Sequence, residues 1–296
     1  MKSVLLLLLA LFATSCLIAQ ENELVLISLL EDDSEEMTDY TTASFKTNKV
    51  INLHSLESPA AGVLDFKISH RFNTVKNGFY DIFGLDGATI RLGWDYGITD
   101  RLTAGIGRST YEKTYDGYIK WKIARQSKGK KKFPLTIAAL SAMSVNTLRL
   151  QQPERQNYAT SRLFYTHQLI LGRKFSEGFS LQLSPTLVHR NLVRYRYESN
   201  DVYALGIAGR IKLSKRVALT VEYIYVLPDQ LASEYTNSLS IGFDIETGGH
   251  VFQLHFTNSS PMIEKGFITE TKGEWLNSDI HFGFNISRVF TLKKRK

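Results

Sequence analysis

The sequence predicts an all-β protein, an antiparallel up-and-down transmembrane β-barrel of about twelve strands with both its N and C termini periplasmic. Three observations predict it. The N terminus is that of an exported chain, apolar and polar residues alternate with period two through most of the remaining sequence, and the links between alternating stretches are short and long in turn.

Lys2 precedes an unbroken apolar run from Val4 to Phe12, and small or polar Ala13-Thr14-Ser15 come next. This is the layout of a secretory signal peptide, well short of the roughly 20 apolar residues of a transmembrane helix. Residues 1–19 are therefore expected to be removed, with cleavage after Ala19. Cys16, the only cysteine, raises the alternative of an acylated N terminus, yet Ala13-Thr14-Ser15 lacks the large apolar residue usual three places earlier. Ordinary cleavage leaves a mature chain with no cysteine and no disulfide. The net charge of +7 and pI near 9.3 do not point to nucleic acid, which an exported protein rarely meets. The basic clusters at 128–132 and 293–296 and the acidic run at 31–36 read as solvated turns and tails.

Residues 20–61 form a mixed segment, expected either to lie in the periplasm or to enter the barrel as a plug. Pro59-Ala60-Ala61-Gly62 makes a hinge into the barrel at 62–296. From Leu64 to Phe72 the even positions are mostly large and apolar, whereas Asp65, Lys67, Ser69 and Arg71 are polar. Strand side chains alternate between faces, so one face is greasy and the other charged. In 88–98 the apolar set is Ile90, Leu92, Trp94, Tyr96 and Ile98, opposed to Thr89, Arg91, Gly93, Asp95 and Gly97. The pattern predicts further strands at 101–109, 114–125, 133–146, 161–174, 179–190, 201–213, 217–227, 237–247, 250–258 and 279–291. Tight links fall at 99–101, 126–132, 175–178, 214–216 and 247–249. Longer ones fall at 73–87, 146–160, 190–200, 227–237 and 258–278, with one short link near Tyr111 among them. Periplasmic turns at one end and extracellular loops at the other produce this alternation.

A soluble barrel would also alternate, with its apolar face inward. The small residues decide against it, because Gly93, Gly97, Gly105, Gly107, Ala204, Gly206, Ala208, Gly242 and Gly283 all fall on the polar face. Small residues suit a confined lumen rather than a solvated surface. The other face collects Trp94, Trp121, Tyr223, Tyr225, Phe243, Phe256 and Phe282, as an interfacial aromatic girdle would.

The runs Thr42–Asn52, Gly62–Phe72 and Phe83–Leu102, with Gly105–Ser109 and Asp116-Gly117-Tyr118, resemble a Bacteroidota family of outer-membrane β-barrels, a domain of unknown function. The resemblance covers most of the mature chain. It implies location in the outer membrane of a Gram-negative bacterium and a barrel architecture, and it supplies no catalytic or binding residue.

The residues themselves offer little chemistry, and no enzyme is expected. Ser69 and His70 are adjacent in a strand and so face opposite ways. His54 and Ser55 have no orienting acid nearby in sequence. His255 and His281 fall on the polar face of consecutive strands near the same end and are weak candidates for a metal or haem site, but no third ligand is evident. No cofactor is expected. Arg91, Asp95, Lys120, Lys122, Arg210, Glu222 and Asp244 are read as a lumen charge network in which opposite signs brace one another. Mixed signs argue against a wide ion-selective pore. The expected role is a narrow passage or docking scaffold for small solutes or a periplasmic partner, in contact with outer-membrane lipid and lipopolysaccharide and inserted by the barrel-assembly machinery. An adhesion or structural barrel, and a membrane-embedded hydrolase, are the alternatives.

Overall fold

A computed structural model describes residues 37–149 and 158–293. The expected signal peptide, Cys16, the start of the 20–61 segment and the tail beyond 293 lie outside the described residues. Twelve strands form one closed antiparallel barrel. They are β2 (Val63–Thr74), β3 (Ala88–Gly97), β4 (Leu102–Ser109), β5 (Tyr115–Ala124), β7 (Thr136–Val145), β8 (Leu163–Lys174), β9 (Phe179–Arg190), β10 (Asp201–Lys212), β11 (Val217–Val226), β12 (Ser238–Thr247), β13 (His250–Thr257) and β14 (His281–Thr291). Each pairs with its neighbour in chain order, and β14 closes on β2 with a register shift between His281 and Gly283. The alternation thus places every strand within a few residues of its observed bounds.

The basic stretch after β5 differs from its reading as a solvated turn. Within a separate small unit, β6 (Ser127–Gly129) pairs antiparallel with β1 (Thr38–Tyr40), and the Thr41 amide donates to the Gln126 carbonyl at 2.9 Å. The sequence shows no sign of it because Thr38-Asp39-Tyr40 is too short for a periodic signal and its partner lies far along the chain.

The barrel is polar inside and greasy outside. On β2, Asp65, Lys67, Ser69 and Arg71 are all buried, while outward Ile106, Ile119 and Trp121 remain more than half exposed at 64%, 57% and 52%. In water this is the wrong way round; in a bilayer the exposed face meets hydrocarbon and the strands satisfy every backbone group in a closed ladder. The inner wall is nevertheless not uniform. Asp65, Lys67, Arg71, Arg91, Asp95 and Asp116 make β2 to β5 a charged arc. On β7 to β11, Ala138, Leu140, Ala142, Ile170, Val188, Val202, Ala204 and Ile224 contribute an apolar arc, interspersed with buried polar residues such as Gln168, Gln182, Ser184, Thr186, Arg210 and Glu222. An apolar arc facing the lumen needs something to cover it.

Candidate functional site

The cover comes from the chain itself. Ser44 to Leu56 are buried, apart from half-buried Lys46, in a segment that belongs to no barrel strand. The Val50 amide donates to the Leu53 carbonyl at 2.8 Å and the Ser55 amide to the Asn48 carbonyl at 2.9 Å, with Lys49 bridged to His54. These bonds fold residues 48–55 into a tight hairpin. Its apolar side chains Phe45, Val50, Leu53 and Leu56 join the apolar arc in one core cluster. The wall is thinned to receive them: a Cβ on Gly206 would lie 2.9 Å from a Leu53 methyl, and one on Gly172 would lie 2.5 Å from a Leu56 methyl. These two wall glycines leave room for leucines of the hairpin.

The polar side of the hairpin is held as closely. Its tip points three successive backbone N–H groups, of Ile51 (3.2 Å), Asn52 (2.9 Å) and Leu53 (3.1 Å), at the carboxylate of Glu222. Three converging amides make an anion nest, which lets a fully buried carboxylate stand without a cation within ion-pair reach among the described residues. The carbonyl groups of the tip are met in turn: Gln253 donates to Val50 at 2.6 Å and Asn285 to Ile51 at 3.1 Å. Arg71 donates to the Asn52 side chain at 2.8 Å, and Asn48 donates to Asp95 at 2.9 Å and to the Tyr118 hydroxyl at 2.6 Å. The Lys120 ammonium donates to Asn48 Oδ1 and to the Ser55 and Glu57 carbonyls. A hairpin buried with its backbone groups so answered avoids the cost of orphaned polar groups.

From the end of the long links a second element enters. In the link between β13 and β14 the short helix α1 (Glu264–Thr269) is buried along its whole length and packs on β8, β9 and β11. Glu264 meets the hairpin, with Lys49 Nζ at 2.5 Å and His54 Nε2 at 2.9 Å. Burial and the Lys49 charge push the His54 imidazole down to about 3, so the ring is neutral and donates to Glu264. Burial also raises the Glu264 carboxyl, but Lys49 and the His54 hydrogen bond reverse the sign and hold it well below the usual carboxylate range. The next residue, Lys265, turns the other way, to Glu112 at 2.5 Å and Glu270 at 2.6 Å, with Phe164 beneath it at 4.3 Å. Hairpin and helix therefore meet inside the barrel, one entering from the short-turn end and the other from the long-link end.

The seven charges read as a lumen network divide into different roles. Arg91 pairs with Asp116 through both Nε and Nη2, across the small residues of β4, and not with Asp95 on its own strand. Asp95 stands 3.7 Å from Lys67 and takes the Asn48 amide. Lys120 and Glu222 hold the hairpin rather than other strand residues. Asp244 accepts from Gln253 at 2.9 Å, and neither Lys122 nor Arg210 has an ion-pair partner among the described residues. Sequence reading left residues 20–61 open between periplasm and plug; the structure puts 44–56 inside the barrel, and what sequence reading missed is that this hairpin is the shared partner of these charges.

The histidines also differ from their reading. His54 does have an orienting acid, Glu264, which lies 210 residues away in sequence. Ser55 donates instead to the Thr47 carbonyl at 2.5 Å, so the two side chains form no dyad, and both are fully buried. His255 is opposite Gly283 and His281 is opposite Thr257, so the two are diagonal neighbours. His281 bonds the Phe72 carbonyl at 2.8 Å, and no cluster of three metal-ligating side chains occurs among the described residues.

Among solved structures, the NanC porin is similar with 8% identity over 77% of this chain and 98% of that one, at a TM-score of 0.47. The KdgM porin is similar with 9% identity over 77% and 99%, at 0.46. An outer membrane channel of Pseudomonas putida F1 (COG4313) is similar with 13% identity over 78% and 96%, at 0.45. No curated protein matches the chain. The family model for a membrane bound beta barrel domain (DUF5777) matches residues 45–290, which spans the hairpin and all twelve barrel strands up to the end of β14. An even-stranded, up-and-down antiparallel barrel with an apolar outer face is the outer-membrane architecture, and the chain belongs to the DUF5777 family of membrane-bound β-barrels.

Proposed function

We propose that this protein is a stoppered passage through the outer membrane for small solutes, with the hairpin at 48–55 as the stopper. One observation carries the reading. The wall does not fill its own lumen with strand side chains but leaves a space, thinned by Gly172 and Gly206, that one contiguous and non-covalently held segment occupies. A barrel serving only as a rigid scaffold gains nothing from a filling that is separate from the strands of its wall. Displacing the hairpin would leave a lumen with a charged arc on one side and an apolar arc on the other, a lining for small polar solutes with apolar parts.

In this reading the short turns and both chain termini face the periplasm and the long links face outward. The apolar girdle meets lipid and lipopolysaccharide, and the aromatic-rich β14 is the strand read by the barrel-assembly machinery. A Bacteroidota origin rests on the resemblance of the runs at 42–52, 62–72 and 83–102 alone. The test is removal of residues 44–57. In planar bilayers the intact protein should show small conductance and the deletion variant a large, steady one. Equal small conductance from both, with the deleted barrel still heat-modifiable on gels, would show that the filling does not govern passage and that the barrel is a scaffold.

A further inference from the structure

At the long-link end lies a cavity of about 250 Å³ that the passage reading does not use. It holds about eight waters' volume, the size of one monosaccharide. Four cations line it, Arg190, Arg194, Lys265 and Lys272, against the carboxylates of Glu112, Glu198 and Glu270. Their pairing is uneven. Lys265 is fully committed to Glu112 and Glu270. Arg194 and Lys272 both turn to a single carboxylate, Glu234, at 3.1 and 3.2 Å, and all three side chains are exposed. Arg190 is buried, reaches Glu198 only at 3.4 Å, and its Nε–H has no acceptor among the described residues. Glu198 in turn accepts the backbone amides of Arg194 and Tyr195, so its charge is shared. The rings of Tyr111 and Tyr235 complete the wall.

We propose that this cavity binds a small hydroxylated carboxylic acid, a refinement that rests on the passage reading and names the class of solute received at the outer mouth. Exposed ion pairs are worth little, about 0–1 kcal/mol, so Arg194 and Lys272 exchange part of their hold on Glu234 for a ligand carboxylate at small cost. A guanidinium takes a carboxylate in two parallel bonds, which gives Arg194 orientation as well as charge. Glu112 and Glu270 can accept from hydroxyl groups of the ligand, and a neutral sugar offers the cations hydroxyl acceptors but no counter-charge.

The experiment is calorimetric titration of the full-length barrel in detergent with gluconate as probe and glucose as the uncharged control. Gluconate should bind saturably at one site, and glucose should give no saturable heat. The substitutions Arg194→Gln and Lys272→Gln lie on links outside the barrel wall, and together they should weaken gluconate by about tenfold or more, the usual cost of a lost charged hydrogen bond. Absence of saturable gluconate binding, equal binding of glucose, or unchanged affinity in the double variant would each overturn the proposal. If gluconate fails to bind while deletion of 44–57 still opens a conductance, the site is refuted and the passage reading stands. If it binds and the deletion opens nothing, the site survives on a closed barrel.

Discussion

Replacing Glu222 by alanine should unseat the hairpin without unfolding the barrel. Three backbone N–H groups at the tip lose their carboxylate acceptor, and each buried donor left unmet costs about 1–3 kcal/mol. These costs overlap, so we expect about 4 kcal/mol in total, which corresponds to roughly a thousandfold shift toward the released hairpin at about 1.36 kcal/mol per decade. The barrel ladder itself does not depend on the carboxylate, since β11 pairs with β10 and β12 through its backbone. Glu222→Gln keeps one acceptor oxygen and should cost about 1–2 kcal/mol, near tenfold. The assay is maleimide labelling of Val50→Cys, at the 1%-exposed tip, in a Cys16→Ser background. Labelling should be negligible with Glu222 present, faster with glutamine, and fastest with alanine. A heat-modifiable Glu222→Ala barrel that labels no faster than its parent would refute the claim that the nest holds the hairpin.

Acid should loosen the hairpin in the intact protein. Docked, His54 takes a proton only near pH 3; released, it does so near 6.5. Below pH 6.5 the released state therefore binds the extra proton and docking weakens as pH falls, by about 2 kcal/mol at pH 5. Glu264 acts in the same direction, because its docked carboxyl is depressed and its contribution, present above about 4.5, is lost as pH falls further. Because the thiolate is the reacting form, labelling is compared with that of an exposed cysteine such as Lys272→Cys at the same pH; relative to it, labelling of Val50→Cys should rise between pH 6.5 and 5, and His54→Gln should remove that part of the rise. For orientation, cysteine at Lys272 should react with an impermeant reagent on intact cells and cysteine at Ser214 should not; Asn157, in the same long link as Tyr158, should behave like Lys272 but lies outside the described residues. The opposite pattern would invert the barrel in the membrane.

The strands were legible because each carries its own evidence: a face that meets lipid must be apolar and a face that meets the lumen need not be, so period two is written locally in stretches such as 88–98. The hairpin is not written that way. Its apolar and polar sides are both buried and its turn breaks the period, so Asn48 to Ser55 show no regular alternation, and several residues answer a partner far away, such as Asn52 and Glu222, 170 positions apart. The same distance hid the acid beside His54. Which charge meets which was hidden for a related reason. Arg91 and Asp95 share a strand face, but the β3, β4 and β5 registers bring Asp116 within reach over Gly107, and a guanidinium prefers the partner that meets two of its nitrogens.

The closing of the barrel between β14 and β2 has a consequence for the hold on the hairpin. Asn285 of β14 bonds the hairpin at Ile51, and Arg71 of β2 bonds it at Asn52, so the tip is clasped by both strands of the final pairing. The hairpin is joined to β2 by residues 56–62 alone and precedes it in the chain. The β14–β2 seam and the seat of the hairpin tip thus share the same two residues, so what loosens one contact loosens the other.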